Sequence, residues 1–220
     1  MRHAAQKRSA AGRLPFLRAR ALLAGGLVLG LGATVTAASW NDSEYATATL
    51  STSTFTTESN VNALGYVDAP TAPGTTVTLP VGAFSPNVKG YLQVLIRTKA
   101  NSIAGTVVLN PGVVTGSGPN AAADALAFTQ NFSYRVVRTA ATCNDQAFLG
   151  SPVWVVGTAG GGVALNTGQT GGVNVLAAAT PTLPGSATGF CFEVLLSGSA
   201  PNDLQGKSAA ATWQFLATSN

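Results

Sequence analysis

Residues 91–99 read YLQVLIRTK. Leu92, Val94, Ile96 and Thr98 fall on one side of this stretch, and Tyr91, Gln93, Leu95, Arg97 and Lys99 on the other. A period of two is the signature of a β-strand with one face packed and one face wet. The same reading extends outward along the chain. Phe132, Tyr134 and Val136 alternate with Ser133, Arg135 and Val137, and Phe190, Phe192, Val194 and Leu196 share a face. Ala211, Trp213, Phe215 and Ala217 alternate with Thr212, Gln214, Leu216 and Thr218 as one strand over residues 211–218. Residues 47–56, 75–79, 103–109 and 153–156 are further strand candidates. Short strands parted by Gly, Pro and Asn turns predict a sandwich or a barrel. Helix is scarce: residues 121–127 have room for one or two turns, with Asn120 as N-cap. Residues 157–172, GTAGGGVALNTGQTGG, read as a Gly-rich loop or weak hairpin. No Lys-Ser/Thr pair follows them, so they are not a phosphate cradle.

The chain has 220 residues and is 46% hydrophobic but only 9% charged. Soluble domains average about 25% charged residues, so this surface relies on Thr, Ser, Asn, Gln and Gly. Of the twelve Lys and Arg residues, six lie before residue 21, and no acid precedes Asp42. An uncharged run, ALLAGGLVLGLGATVTAA, follows over residues 21–38. A basic start, an apolar stretch and small residues at its end define a secretory signal peptide. The expected cut falls between Ala38 and Ser39. The run is diluted by Gly and slightly short of the ~20 residues needed to span a bilayer, which favours cleavage over retention as an anchor. Any membrane contact would come only through the uncleaved leader. Beyond Ala38 six bases face eight acids, a net charge of −2. The basic balance belongs to the leader, and no nucleic-acid partner is expected. Three divisions follow: a leader over 1–38, an N-terminal arm or first strand over 39–57, and a β-sandwich domain over 58–220.

Cys143 and Cys191 both follow the leader. In an exported domain two cysteines most simply form one disulfide, the alternative being two free thiols. The spacing does not suit a CxxC zinc or redox motif.

The leader junction reads LGLGATVTAASWNDSEYATATL. It resembles the alternate signal peptides cut by SipW-type signal peptidases, as in the TasA and camelysin group of exported proteins and their actinobacterial branch. Trp40, Asn41 and Asp42 match that group's aromatic-Asn-Asp element. Residues 211–219, ATWQFLATS, are similar to the aromatic-rich last strand of such proteins. The resemblance implies an all-β fold, an antiparallel β-sandwich of jelly-roll or immunoglobulin-like type with little helix. It implies a secreted protein at the cell surface or in the extracellular matrix, with a SipW-type signal peptidase as partner. It also implies self-association into fibres by donor-strand addition, in which an N-terminal strand completes a neighbour's sheet. Residues 46–56 would be that donor strand, with Leu50 and Phe55 as its large apolar anchors. Pairing within the same subunit is the competing reading. The alternative function is a monomeric surface-exposed binding module that recognises glycan or protein through its loops, 157–172 among them.

Enzyme chemistry finds little support in the residues, and no catalytic, cofactor-binding or metal residue is expected. The only His, His3, lies in the leader, which removes the base of Ser-His-Asp and Cys-His mechanisms. Camelysin-like proteins are labelled metallopeptidases, but no HExxH stands here, and the label is not carried over. Nothing places Lys89, Lys99 or Lys207 beside a particular Ser. A glycosidase needs two carboxylates about 5–9.5 Å apart across a cleft, and the acids look scattered. Arg97 and Lys99 share a strand face and read as a small basic patch or as edge protection. Trp154 and Trp213 read as core.

Overall fold

The computed structural model describes residues 52–72, 74–75 and 84–220, together with Arg20, Leu22, Leu23 and Ala48. The chain divides into two units, Met1–Leu50 and Ser51–Asn220, and every strand discussed here lies in the second. The elements are β1 (Thr57–Val61), β2 (Tyr66–Val67), β3 (Lys89–Thr98), β4 (Gly105–Leu109), β5 (Val113–Gly116), α1 (Ala121–Asn131), β6 (Phe132–Arg138), β7 (Val153–Val156), β8 (Val163–Ala164), β9 (Asn174–Leu176), β10 (Thr188–Leu196), β11 (Ala209–Thr212) and β12 (Phe215–Ser219). The main sheet has the order β2-β1-β3-β10-β6-β7, with β8 also on β6. A second set of strands runs β12-β4-β9, and β11 pairs with β5. Every pairing between these strands is antiparallel.

Alternation sets the layers. Phe192 of β10 stands opposite Leu92 on one side and Val136 on the other. All three are buried, as are Val107 and Leu109 of β4 and Leu176 of β9. The inward faces of the two sets of strands therefore share one core. Aromatic contacts join them: Phe190 and Phe215 lie 4.9 Å apart between centroids, and Phe192 and Trp213 lie 5.2 Å apart. Burying one such side chain stabilises by about 1.5–3 kcal/mol, so β10 contributes heavily to the fold.

Several strand expectations hold. β6 and β7 span the expected residues, and β3, β4 and β10 match within a few positions. Residues 211–218, read as one strand, are two: β11 and β12 part at Trp213 and Gln214. The partner strand is interrupted at the same level. Residues 110–112, which include Pro111, oppose only Trp213 and Gln214, as in a bulge. Gln214 O accepts from Asn110 N at 2.9 Å, and Gln214 Oε1 accepts from Asn110 Nδ2 at 2.8 Å. The inward set Ala211, Trp213, Phe215 and Ala217 is nonetheless correct, since all four pack against the core.

Helix α1 is longer than expected, with 11 residues. Asn120 occupies the N-cap position but its side chain makes no capping bond. β1, TESNV, carries no alternating signal because only Val61 among its residues is large and apolar. It is recruited by its neighbour: Glu58 sits opposite Arg97 on β3 and accepts from its Nε at 2.6 Å. Arg97 and Lys99 are therefore not a basic patch. Arg97 pairs with Glu58 and lies 3.5 Å above the Tyr66 ring, while Lys99 pairs with Asp68. β3 is also an interior strand, so Arg97 protects no edge. The Gly-rich stretch is more ordered than a loop: β8 pairs with β6, and Thr170 N and Gly171 N donate to Val155 O. Most of the 75–79 candidate lies outside the described residues.

Candidate functional site

The outward face of the main sheet carries a second, smaller cluster. Cys191 and Glu193 of β10 point away from the core, as do Tyr91 of β3 and Arg135 of β6. A segment after β6 folds over this face. Cys143 is bonded to Cys191, with Cα atoms 5.1 Å apart. Gln93 Nε2 donates to Ala141 O at 2.7 Å. A short 3-10 turn, Asp145–Phe148, then lays Phe148 over the sheet, with Asn144 accepting from Gln146 N as its cap. Phe148 and Trp154 lie 6.2 Å apart between ring centroids, and the Arg135 guanidinium sits 4.8 Å from the Phe148 centroid.

Glu193 lies beneath this cover and is only 5% exposed. A carboxylate buried without partners is costly, and this one has three. Arg135 donates twice, Nε to Oε1 at 2.7 Å and Nη2 to Oε2 at 3.1 Å. Lys89 Nζ lies 3.1 Å from Oε2, and the Tyr91 hydroxyl donates to the same oxygen at 3.4 Å. Burial by itself would raise the Glu193 pKa. The hydrogen bonds from Arg135 and Lys89 outweigh it and hold the carboxyl below the ordinary range. Burial, followed by the charge of Glu193, pushes the Tyr91 phenol up to about 12. At neutral pH the cluster is thus an ionised acceptor between two cations, beside a neutral phenol. It is suited to holding and orienting groups rather than to giving up a proton.

Glu193 is bonded to Tyr91, and its partner Arg135 lies over the rings of Phe148 and Trp154. Asp124, on α1, is buried and paired with Lys207 at 2.9 Å. Among the described residues no three His, Cys, Asp or Glu side chains come together as metal ligands. No described helix is long and apolar enough to cross a membrane.

Of the residues singled out in the sequence, Cys143 and Cys191 are joined as expected. That bond fits an oxidising, extracellular-like setting. Ala38, Ser39, Trp40, Asn41, Asp42 and Leu50 lie outside the described residues. Phe55 packs against the core of its own unit. Its neighbours are tied down too: Ile103 N donates to Thr54 O at 3.0 Å, and Lys99 N to Thr56 O at 2.9 Å. Trp213 packs on the main core and Trp154 on the cluster around the disulfide. The cluster of Glu193, Arg135, Lys89 and Tyr91 goes beyond the sequence reading. Its signal was a single charge inside FCFEVLL, an otherwise apolar strand.

No family model, no curated protein and no solved structure matches the chain.

Proposed function

We propose that this chain is an exported structural protein of the cell surface or extracellular matrix, and that it assembles by adding an N-terminal strand to an open sheet edge of a second copy. The observation that carries this reading is an edge. Residues 209–219 contain no charge and no proline. Among the described residues β12 pairs only with β4, and β11 only with β5. Natural sheets usually blunt such edges with Lys, Pro or a covering segment, and an unblunted edge is a template for strand addition. The disulfide and the leader-like start support export, with release after Ala38 by a SipW-type peptidase.

The donor is residues 46–51, with Leu50 as its apolar anchor. Thr54, Phe55 and Thr56 are bound to their own unit and act as the tether from which the donor reaches out. Catalysis has no part in this reading. Negative-stain microscopy of residues 39–220 beside residues 52–220 tests it. Filaments in the longer chain and compact particles in the shorter are expected. Compact particles in both would favour the monomeric binding module.

A further inference from the structure

The ion cluster borders a recess of about 210 Å³, lined by Lys89, Ser133, Arg135, Glu193, Leu195 and the turn at residues 159–162. We propose that this recess binds the carboxylate-bearing ring of an acidic sugar, such as one uronic acid unit of a polysaccharide. The inference is independent of the assembly described above.

Charge comes first. Two cations meet one anion here, leaving one positive charge over. Glu193 is occupied by Arg135, Lys89 and Tyr91. Among the described residues Arg135 Nη1 has no hydrogen-bond partner, and the Lys89 side chain is 42% exposed with further donors to offer. A monoanion completes this set. A phosphate dianion would exceed the single positive charge left over.

Size and lining narrow the ligand. At about 210 Å³ the recess is smaller than the roughly 300–1,000 Å³ usual for drug-sized ligands, which limits its occupant to a small group such as one ring. Its lining mixes the cation donors, the Ser133 hydroxyl, the Glu193 carboxylate and the apolar Leu195. That mixture suits a ring with hydroxyls, an apolar face and one carboxylate. The far wall is nearly bare backbone. Gly157, at φ 72°, lies so close to β6 that a Cβ there would stand 2.9 Å from Arg135 Cβ. A Cβ at Gly162 would stand 2.9 Å from Tyr134 O. The glycines let the turn close on the sheet beside Arg135 and bound the recess on that side.

The test is calorimetric titration of the purified, disulfide-intact protein with glucuronate, glucose and inorganic phosphate at matched ionic strength. Saturable glucuronate binding, at least about tenfold tighter than either control, is expected. Lys89→Gln should weaken it about tenfold, the scale of one lost charge-assisted bond. Arg138→Gln, which removes an exposed cation outside the recess, should leave it unchanged. No saturation with glucuronate overturns the proposal. So does phosphate binding as tightly, or an equal loss in the Lys89 and Arg138 variants, which would reveal a general charge effect.

Discussion

A single carboxylate in an apolar strand explains much of the outward face. Glu193 is tolerated at 5% exposure only because Arg135, Lys89 and Tyr91 converge on it. Removing it would leave Arg135, whose side chain is 15% exposed, without its counter-ion. Glu193→Ala should therefore destabilise the fold by about 3 kcal/mol at pH 7, within the range for breaking a buried ion pair. Urea melts should show a lower midpoint at an unchanged slope. The pH dependence has a definite sign. The folded pKa lies below the unfolded value of about 4.3, so the stabilisation is complete above that value. It is lost as pH falls through the folded pKa. The gap between wild type and Glu193→Ala should be constant from pH 7 to about 5 and close in more acid solution. A gap independent of pH down to 2 would contradict an ionised, paired Glu193. Alternation alone placed this residue on the wet face opposite Phe192. What it did not convey is that a remote segment covers that face, because the cover depends on residues about fifty positions away.

At the scale of elements, the disulfide is the device that fastens this cover. Cys191 sits in the middle of β10, and Cys143 leads into the turn that carries Phe148. The pairing was readable from composition, since a chain with two cysteines offers each only one partner. Its role as a clamp over Glu193 was not. The crosslink closes a separation of 48 residues, worth about 4 kcal/mol in the chain-entropy model. The double variant Cys143→Ser, Cys191→Ser should lose up to that amount. A local signature should accompany the loss. With the segment released, the Tyr91 phenol should ionise nearer its ordinary value of 10 than about 12, while Tyr134, buried in the main core, stays near 12. Ultraviolet titration of the phenols reads both. An unmoved Tyr91 would mean the cover stays closed without its crosslink. Strand existence was readable wherever apolar residues alternated, as in β3, β6 and β10. It failed for β1, whose polar residues are held by pairing to β3, and for the break between β11 and β12. There the proline that interrupts the ladder lies on the opposite strand, about a hundred residues earlier.

At the scale of the whole molecule, charge is distributed unevenly. Basic residues crowd the first twenty positions, while the 209–219 edge has no charge. The all-β class was evident from period-two patterning, but the order β2-β1-β3-β10-β6-β7 was not. Most of its neighbours are far apart in sequence, and local pattern carries no information about such pairing. The consequence for assembly is testable without touching the N-terminal segment. Leu216 and Thr218 of β12 are exposed, while Phe215 and Ala217 face the core. Leu216→Lys with Thr218→Lys therefore adds two charges to the edge strand and leaves the core intact. Such surface changes shift stability by no more than about 0.5 kcal/mol each, so the thermal midpoint should stay close to wild type. Filament formation by residues 39–220 should nevertheless be lost, because an incoming strand would have to settle beside two lysines on a strand that now carries the usual protection against pairing. Unchanged filaments in this doubly substituted chain would exclude β12 as the acceptor. Loss of filaments with an unchanged melting curve would place the contact between copies on the edge formed by the last strand.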